Sequence, residues 1–443
     1  MIRLLAALIV ASLAAEGLAG QLASSAPRPS IVGRSNYIDW LNSRPLPAGQ
    51  ANATRWYASA FTNLRPMPRR DLLERASSAP WTELAEVAEW LERNARSLQW
   101  YRRGTEAPAF RLTLRAGEGY VYGPVWAEAL LFARMPGLGA FELCADGWLA
   151  KGWRQWEQGD RQALFDHALV NLAACHHLAS ASPLVARMEG AKIAEGNYRA
   201  ILRALATAET RDEIARSLAP RLDEADAPVN TLEASYDYQR LVAWDTLQRL
   251  YLPGDRGVVS SAAAVVEHLQ KTAGRHAGEW QQFADALAAV GFSESVEEAN
   301  QFFDALAAWN NRPPHEALEH LEEIAAAGRA LKNPVIRLLV TDLTEPRRKM
   351  IRVETLRRGT HLVAHLLRHR AEYEALPESI DALGGARGVA TVRVDPYSGK
   401  DFLYFRTRED FILYSVGADA KDDAGRPYLP RTEAGDLLIW PVR

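Results

Sequence analysis

The chain has 443 residues, 48% of them hydrophobic, and carries 52 Lys and Arg against 55 Asp and Glu, a formal charge of −3. That balance argues against a protein that coats nucleic acid by bulk attraction, and the apolar fraction excludes disorder over the whole length. No internal run of about 18 uncharged residues offers a multi-span membrane protein, and two cysteines can build neither a disulfide scaffold nor a four-thiolate metal site.

Met1, Ile2 and Arg3 make a short positive start, residues 4–15 are Leu, Ala, Ile, Val and one Ser, and Gly17, Ala19 and Gly20 follow. This three-part layout predicts a secretory signal peptide within residues 1–26 or, left uncleaved, an N-terminal anchor. A dozen apolar residues make ~18 Å of helix, too short to cross a ~30 Å hydrocarbon core comfortably. No cysteine follows Leu18-Ala19-Gly20, so a lipoprotein anchor is unsupported. The expected location is the periplasm or the cell exterior. In an oxidising compartment Cys144 and Cys175 can pair across two predicted helices; the alternative is two separate buried thiols packing as small hydrophobes.

Residues 27–345 read as one helical domain, which can divide into two subdomains. Trp81, Leu84, Val87, Ala88, Leu91, Ala95 and Leu98 form one apolar stripe. Leu164, Ala168, Leu172, Cys175 and Leu178 form a second, and Leu241, Trp244, Leu247, Leu250 and Tyr251 a third. Steps of three and four predict amphipathic helices. Ser78-Ala79-Pro80-Trp81-Thr82-Glu83 predicts a helix start with a capping serine. Trp156-Glu157-Gln158-Gly159-Asp160 predicts a helix end and turn, and Phe110, Leu112 and Leu114 alternate as a short extended excursion. No fixed repeat period emerges. The architecture expected is an irregular helical bundle or short helical-hairpin solenoid.

Residues 346–443 change character. A long helix is predicted over 347–374, a short helix near Pro377, and a turn at Asp395-Pro396-Tyr397-Ser398-Gly399-Lys400. Strands are predicted over 402–405, 411–416 and 436–442, the first two joined by a hairpin link. The fold class is therefore mainly α with a C-terminal α+β domain carrying a small antiparallel sheet. The order of long helix, Leu376-Pro377-Glu378-Ser379-Ile380, Asp395-Pro396 with Gly399, then Leu413-Tyr414-Ser415-Val416-Gly417-Ala418-Asp419 resembles the globular head of the major pseudopilin of type II secretion. The likeness covers roughly residues 347–430. The whole chain is also similar to a group of exported bacterial proteins, common in planctomycetes, that place a helical region before such a head; that likeness implies no activity. A true pseudopilin begins with a prepilin-peptidase site and an unbroken apolar helix. Here the corresponding helix lies far into the chain and is studded with Arg and His, so filament assembly is not expected.

The resemblance implies that the acidic loop binds calcium, with Asp419, Asp422 and Asp423 as ligands. Ca²⁺ takes six to eight oxygens, and three carboxylates with carbonyls and water can supply them. The loop is shorter than the pseudopilin's, and Lys421 brings a competing charge. The alternative is a solvated acidic turn.

Other constellations are weaker. His361, His365 and His369 share a helical stripe, but Arg357, Arg358, Arg368 and Arg370 surround them and disfavour a cation. His315-Glu316 and His320 miss the zincin spacing by one residue. Cys175, His176 and His177 diverge by ~100° per residue and cannot form a dyad. Trp148, Trp153 and Trp156 read as core, and Arg347, Arg348, Lys349 and Arg352 as a solvated basic face open to an acidic partner or lipid headgroups. No phosphate loop or nucleophile elbow appears. The expected function is a non-catalytic interaction or scaffold protein with an envelope protein as partner. The alternatives are an envelope hydrolase with a site in the helical groove, and an accessory part of a type II secretion or pilus-like system.

Overall fold

The computed structural model describes residues 36–46, 51–67, 69–181, 183–225, 232–251, 262–272, 280–340, 343–384, 388–427 and 434–442; the predicted signal peptide lies outside them. Five short helices come first: α1 (Tyr37–Ser43), α2 (Thr54–Asn63), α3 (Arg70–Ser78), α4 (Ala85–Arg93) and α5 (Ala95–Thr105). Longer helices follow as α6 (Leu138–Glu157), α7 (Ala163–Ala179), α8 (Leu184–Thr207), α9 (Arg211–Ala225) and α10 (Glu233–Leu250). Next come α11 (Ala262–Thr272), α12 (Trp280–Val290), α13 (Phe292–Asn310), α14 (Pro314–Glu319), α15 (Leu321–Arg329) and α16 (Pro334–Leu339). The tail holds α17 (Glu345–Tyr373), α18 (Val389–Val392), β1 (Leu403–Arg406), β2 (Phe411–Ser415) and β3 (Leu437–Trp440). The fold is thus mainly α with a three-stranded antiparallel sheet of order β1-β2-β3 near the C-terminus.

The second predicted stripe explains the centre of the helical region. Leu164, Ala168, Leu172, Cys175 and Leu178 are all buried on α7, which packs between α6 and α8. Close approach to α6 is possible because Gly152 has no side chain: a Cβ there would lie 3.0 Å from Leu164 Cα. Nearby, Tyr57 sits in an aromatic knot, its ring 4.6 Å from Phe141, 5.3 Å from Phe110 and 5.7 Å from Tyr101 between centroids. Trp148, Trp153 and Trp156 are buried core, and Trp153 Nε1 donates to the Ser77 carbonyl at 3.0 Å.

α17 joins the two compositional regions. It packs on α9 and α8 through one side and on β2 and β3 through another. The sheet rests closely on it at Gly359, where a Cβ would lie 2.8 Å from Ile439 Cγ1. One contiguous apolar core consequently runs from Tyr37 to Trp440. The hairpin closes at Thr407, whose N–H donates to the Asp410 carbonyl at 2.8 Å. Arg406 faces Phe411, and the β2–β3 register shifts between Leu413 and Tyr414.

Five expectations are corrected or refined. The stripe over residues 81–98 is not one helix. Buried Asn94 breaks it, because its Oδ1 accepts the Arg65 N–H at 2.8 Å and its Nδ2 donates to the Trp90 carbonyl at 2.9 Å. Ser78 does not cap a new helix; its hydroxyl donates back to the Glu74 carbonyl at 2.6 Å and finishes α3. The helix expected near Pro377 is only a 3₁₀ turn, Ile380–Leu383. Residues 109–123 hold isolated bridges, Asn52 with Ala109 and Arg115 with Arg134, rather than a strand. Cys144 and Cys175 are buried free thiols, with no disulfide between them.

Candidate functional site

A polar groove of about 430 Å³ lies between α3, α6 and α8. Helical spacing builds its walls. Glu142, Ala145, Asp146 and Leu149 recur at steps of three, one and three on α6, one face of a helix. Lys192, Gly196, Arg199 and Arg203 recur at four, three and four on α8. Glu74, Ser77 and Ser78 close the end from α3.

Charge divides the groove. Acids line the α3 and α6 side, and Lys192, Arg199 and Arg203 line α8. Arg70 of α3 lies across the two α6 acids: its Nη2 is 2.5 Å from Asp146 Oδ2 and 2.7 Å from Glu142 Oε1. Lys192 Nζ reaches the same Glu142 oxygen at 2.6 Å. Burial alone would raise the Glu142 carboxyl, but Lys192 and Arg70 outweigh it and hold it below the usual range. Burial prevails at Asp146 and pushes it up to about 7, with Arg70 pulling the other way and Glu142 adding repulsion. Burial likewise pushes Glu189, behind the groove on α8, up to about 7.

The floor is held from below by a buried polar chain. Tyr101 Oη donates to Asn171 Oδ1 at 3.3 Å, and Asn171 Nδ2 donates to Asn197 Oδ1 at 3.1 Å and to the Ala145 carbonyl at 3.0 Å. Asn197 then donates to the Ile193 carbonyl at 2.7 Å. These bonds lock α5, α6, α7 and α8 together beneath the groove, so its polar floor is set before any ligand arrives. Arg203 donates to the Ser78 carbonyl across the far end.

The acids singled out in the sequence lie elsewhere and turn toward separate partners. Asp419 accepts the Lys421 and Gly435 N–H groups at 3.3 and 3.4 Å. Asp422 Oδ1 accepts the Tyr414 hydroxyl at 3.0 Å and the Ala424 N–H at 2.9 Å. The loop is organised instead by Asp436, fully buried, which accepts the Asp423 N–H at 3.3 Å and the Gly425 N–H at 2.6 Å. Among the described residues, no three His, Cys, Asp or Glu side chains gather as a metal-holding group.

The histidine stripe meets an acid that its own helix does not supply. Asp223 of α9 places Oδ1 3.4 Å from His361 Nδ1 and 3.2 Å from His365 Nε2. Burial would raise the Asp223 carboxyl, and the two imidazoles outweigh it, holding it down at about 2. His369 leaves the cluster and packs against Tyr373, 4.5 Å between centroids with the rings tilted by 36°. His177 binds the Tyr57 hydroxyl through Nδ1 at 2.8 Å and the Ala107 carbonyl through Nε2 at 2.9 Å. Burial pushes it down to about 4, while burial raises the Cys175 thiol. These are structural links, not a nucleophile and base.

Sequence reading passed over Glu142, Asp146, Lys192, Arg199 and Arg203. The signal available was two acids four apart opposite three bases on a second helix, but each helix taken singly looks like a solvated face. Compared with known proteins, the chain matches no family model, no curated protein and no solved structure.

Proposed function

We propose that this is an exported, non-catalytic interaction protein of the periplasm or cell surface, whose α3/α6/α8 groove receives a polypeptide segment of mixed charge from an envelope protein. The carrying observation is Arg70 lying on both Glu142 and Asp146 in a groove whose opposite wall is basic. A guanidinium bridging two carboxylates fixes their positions for recognition and competes with proton transfer to a substrate. Two walls of opposite sign suit a partner presenting both signs in register. The signal-like N-terminus supports export, and the C-terminal order of helix, Asp-Pro turn and antiparallel strands supports a pseudopilin-like head without a stem.

The test is capture from envelope fractions by the full chain, beside Lys192→Glu with Arg203→Glu. Loss of a captured protein in the charge-reversed variant, with an unchanged melting curve, is the expected result. Equal capture by both proteins counts against the groove.

A second reading, an envelope hydrolase, draws on the divergence of the paired acids: Glu142 held low, Asp146 raised to about 7. Acid and base roles separate in this way in hydrolytic pairs. Turnover of peptide or glycan substrates that Asp146→Asn abolishes would decide for it. Calcium in the C-terminal loop belongs to the pseudopilin-like reading and requires Asp419, Asp422 and Asp423 to turn inward together. A calcium-dependent rise in Tm that Asp422→Asn removes is its expected sign, about 2.7 kcal/mol at one hundred times Kd.

A further inference from the structure

From Trp40 to Arg70 the chain carries five arginines and no acid. α2 lies within this stretch, and α5 holds Arg96, Arg102 and Arg103, again with no acid. The two helices run antiparallel. Arg65, just after α2, donates its N–H to Asn94 at the start of α5, and Tyr57 near the start of α2 meets Tyr101 near the end of α5. Gly104 permits the close approach, since a Cβ there would lie 2.6 Å from the Tyr57 ring.

Tyr57, Ala60, Leu98 and Tyr101 take the buried side of this pair. The outer side presents Arg55 and Trp56 of α2 beside Arg96, Trp100 and Arg103 of α5, the last three at helical steps of four and three. The arginines are exposed and both rings are half-buried. Arg55 and Arg103 lie over the Trp56 ring, Cζ to centroid 4.8 and 5.4 Å, and Arg96 lies over Trp100 at 4.6 Å. These contacts join the two helices into one patch. Among the described residues none of the three arginines makes an ion pair. Glu106, three residues after Arg103, lies 3.3 Å from Arg102 instead, and Glu92 precedes Arg96 by four residues without pairing to it.

The two rings also differ from the core tryptophans. Buried Trp81, Trp90 and Trp153 donate their indole N–H to backbone carbonyls at 2.8, 2.8 and 3.0 Å. Trp56 and Trp100 have no such acceptor among the described residues. A half-exposed indole with a free N–H, flanked by guanidinium groups, suits the headgroup layer of a bilayer, where one end of the ring is apolar and the other wet. A linear polyanion is held instead by a groove that follows its backbone, and none of these residues lines the α3/α6/α8 groove.

We propose that the α2/α5 face docks on a lipid surface rich in anionic phospholipid, with Arg55, Arg96 and Arg103 on the phosphates and Trp56 and Trp100 at headgroup level. The contact is peripheral and weakened by salt. It is separate from the α3/α6/α8 groove and does not depend on that groove receiving a partner.

The experiment is cosedimentation of the full chain with vesicles of equimolar phosphatidylglycerol and phosphatidylcholine, beside vesicles of phosphatidylcholine alone. Binding that requires phosphatidylglycerol and falls with added salt is expected. Each arginine near an anionic surface is worth roughly fivefold, so Arg55→Gln, Arg96→Gln and Arg103→Gln together should weaken it about a hundredfold. Arg69→Gln, Arg216→Gln and Arg329→Gln remove the same charge from exposed arginines already paired with acids, and should bind as wild type does. Phosphatidylglycerol brominated on its acyl chains should quench wild-type fluorescence and quench Trp56→Phe with Trp100→Phe less, which reports these two rings whatever the N-terminus does. The proposal is overturned by the absence of phosphatidylglycerol-dependent binding, by equal binding of wild type and the first triple variant, or by equal quenching with and without the two rings. Tighter binding of polyglutamate or RNA than of vesicles also overturns it, because the face would then serve an acidic polymer.

Discussion

The helical region and the C-terminal region are ordered by different means. Between Tyr37 and Leu339 the structure rests on large apolar and aromatic side chains that meet across long stretches of sequence, as Tyr57 meets Phe141 and Trp153 lies beneath α3. Beyond Glu345 much of the order comes from carboxylates buried at chain turns. Asp395 is 1% exposed and takes the Tyr397 N–H and the Ser415 hydroxyl on Oδ1, and the Ser398 hydroxyl and Val416 N–H on Oδ2. Asp436 does the same for the loop that follows β2, and Glu354 binds Arg357 and Arg358 inside α17. Packing spreads stability over many partners of modest specificity. A buried carboxylate concentrates it in a few atoms whose chemistry cannot be exchanged.

That contrast can be broken from either side. The largest expected effect is in the helical region, where Trp153→Ala removes a fully buried ring and its bond to Ser77. Urea unfolding should show a loss of about 3–5 kcal/mol. A loss below about 1 kcal/mol would mean that packing there is less specific than described.

Next is Asp395→Asn. It preserves volume but sets an amide donor where an oxygen accepted, so one backbone N–H loses its acceptor and one serine hydroxyl must turn away. The cost should be roughly 2–3 kcal/mol, far more than an equally conservative exchange on an exposed helix face. If Asp395→Asn unfolds at the wild-type urea concentration, the buried-carboxylate account of the C-terminal region fails.

The smallest effect is at the seam. Asp223 titrates at about 2 when folded against 3.8 as its ordinary value. A depressed carboxyl stabilises the fold above its unfolded pKa, and that stability is lost as pH falls from about 4 toward 2. With solvent screening the contribution is about 1 kcal/mol. Melting curves between pH 5 and pH 2.5 should therefore differ less in Asp223→Asn than in wild type; parallel losses would detach Asp223 from the acid response.

Legibility followed the same division. The Asp395–Lys400 turn, the hairpin and three strands, and the long helix were readable because each depends on a few adjacent residues. The α7 stripe was readable because five apolar residues repeat within one helix. The break at Asn94 was not, since its cause is the Arg65 N–H, 29 residues away. The basic knot was misread for a related reason. Four bases within six residues look solvated until α8, α15 and the sheet close over them, burying Arg347 and lining a recess with Arg348, Lys349 and Arg352.

The acidic loop shows both limits together. Three aspartates in five residues were visible, but the residue that organises them, Asp436, is separated from Asp423 by 13 positions. The groove acids were hidden because Glu142 acquires its character from Lys192 and Arg70 on other helices, and Asp146 acquires its own from burial that only the packed helices create.

Periodicity and turn chemistry are local, and so the amino-acid order by itself determined that the chain is mainly helical, where its pleated tail begins and which helix faces are apolar. Recesses, paired charges and shifted carboxyls arise only when separate elements are brought within a few ångströms, where water is excluded and Coulomb interactions strengthen. Tertiary structure alone therefore decided that Arg70 lies across two acids, that Asp223 meets two histidines, and that a basic knot lines a cavity.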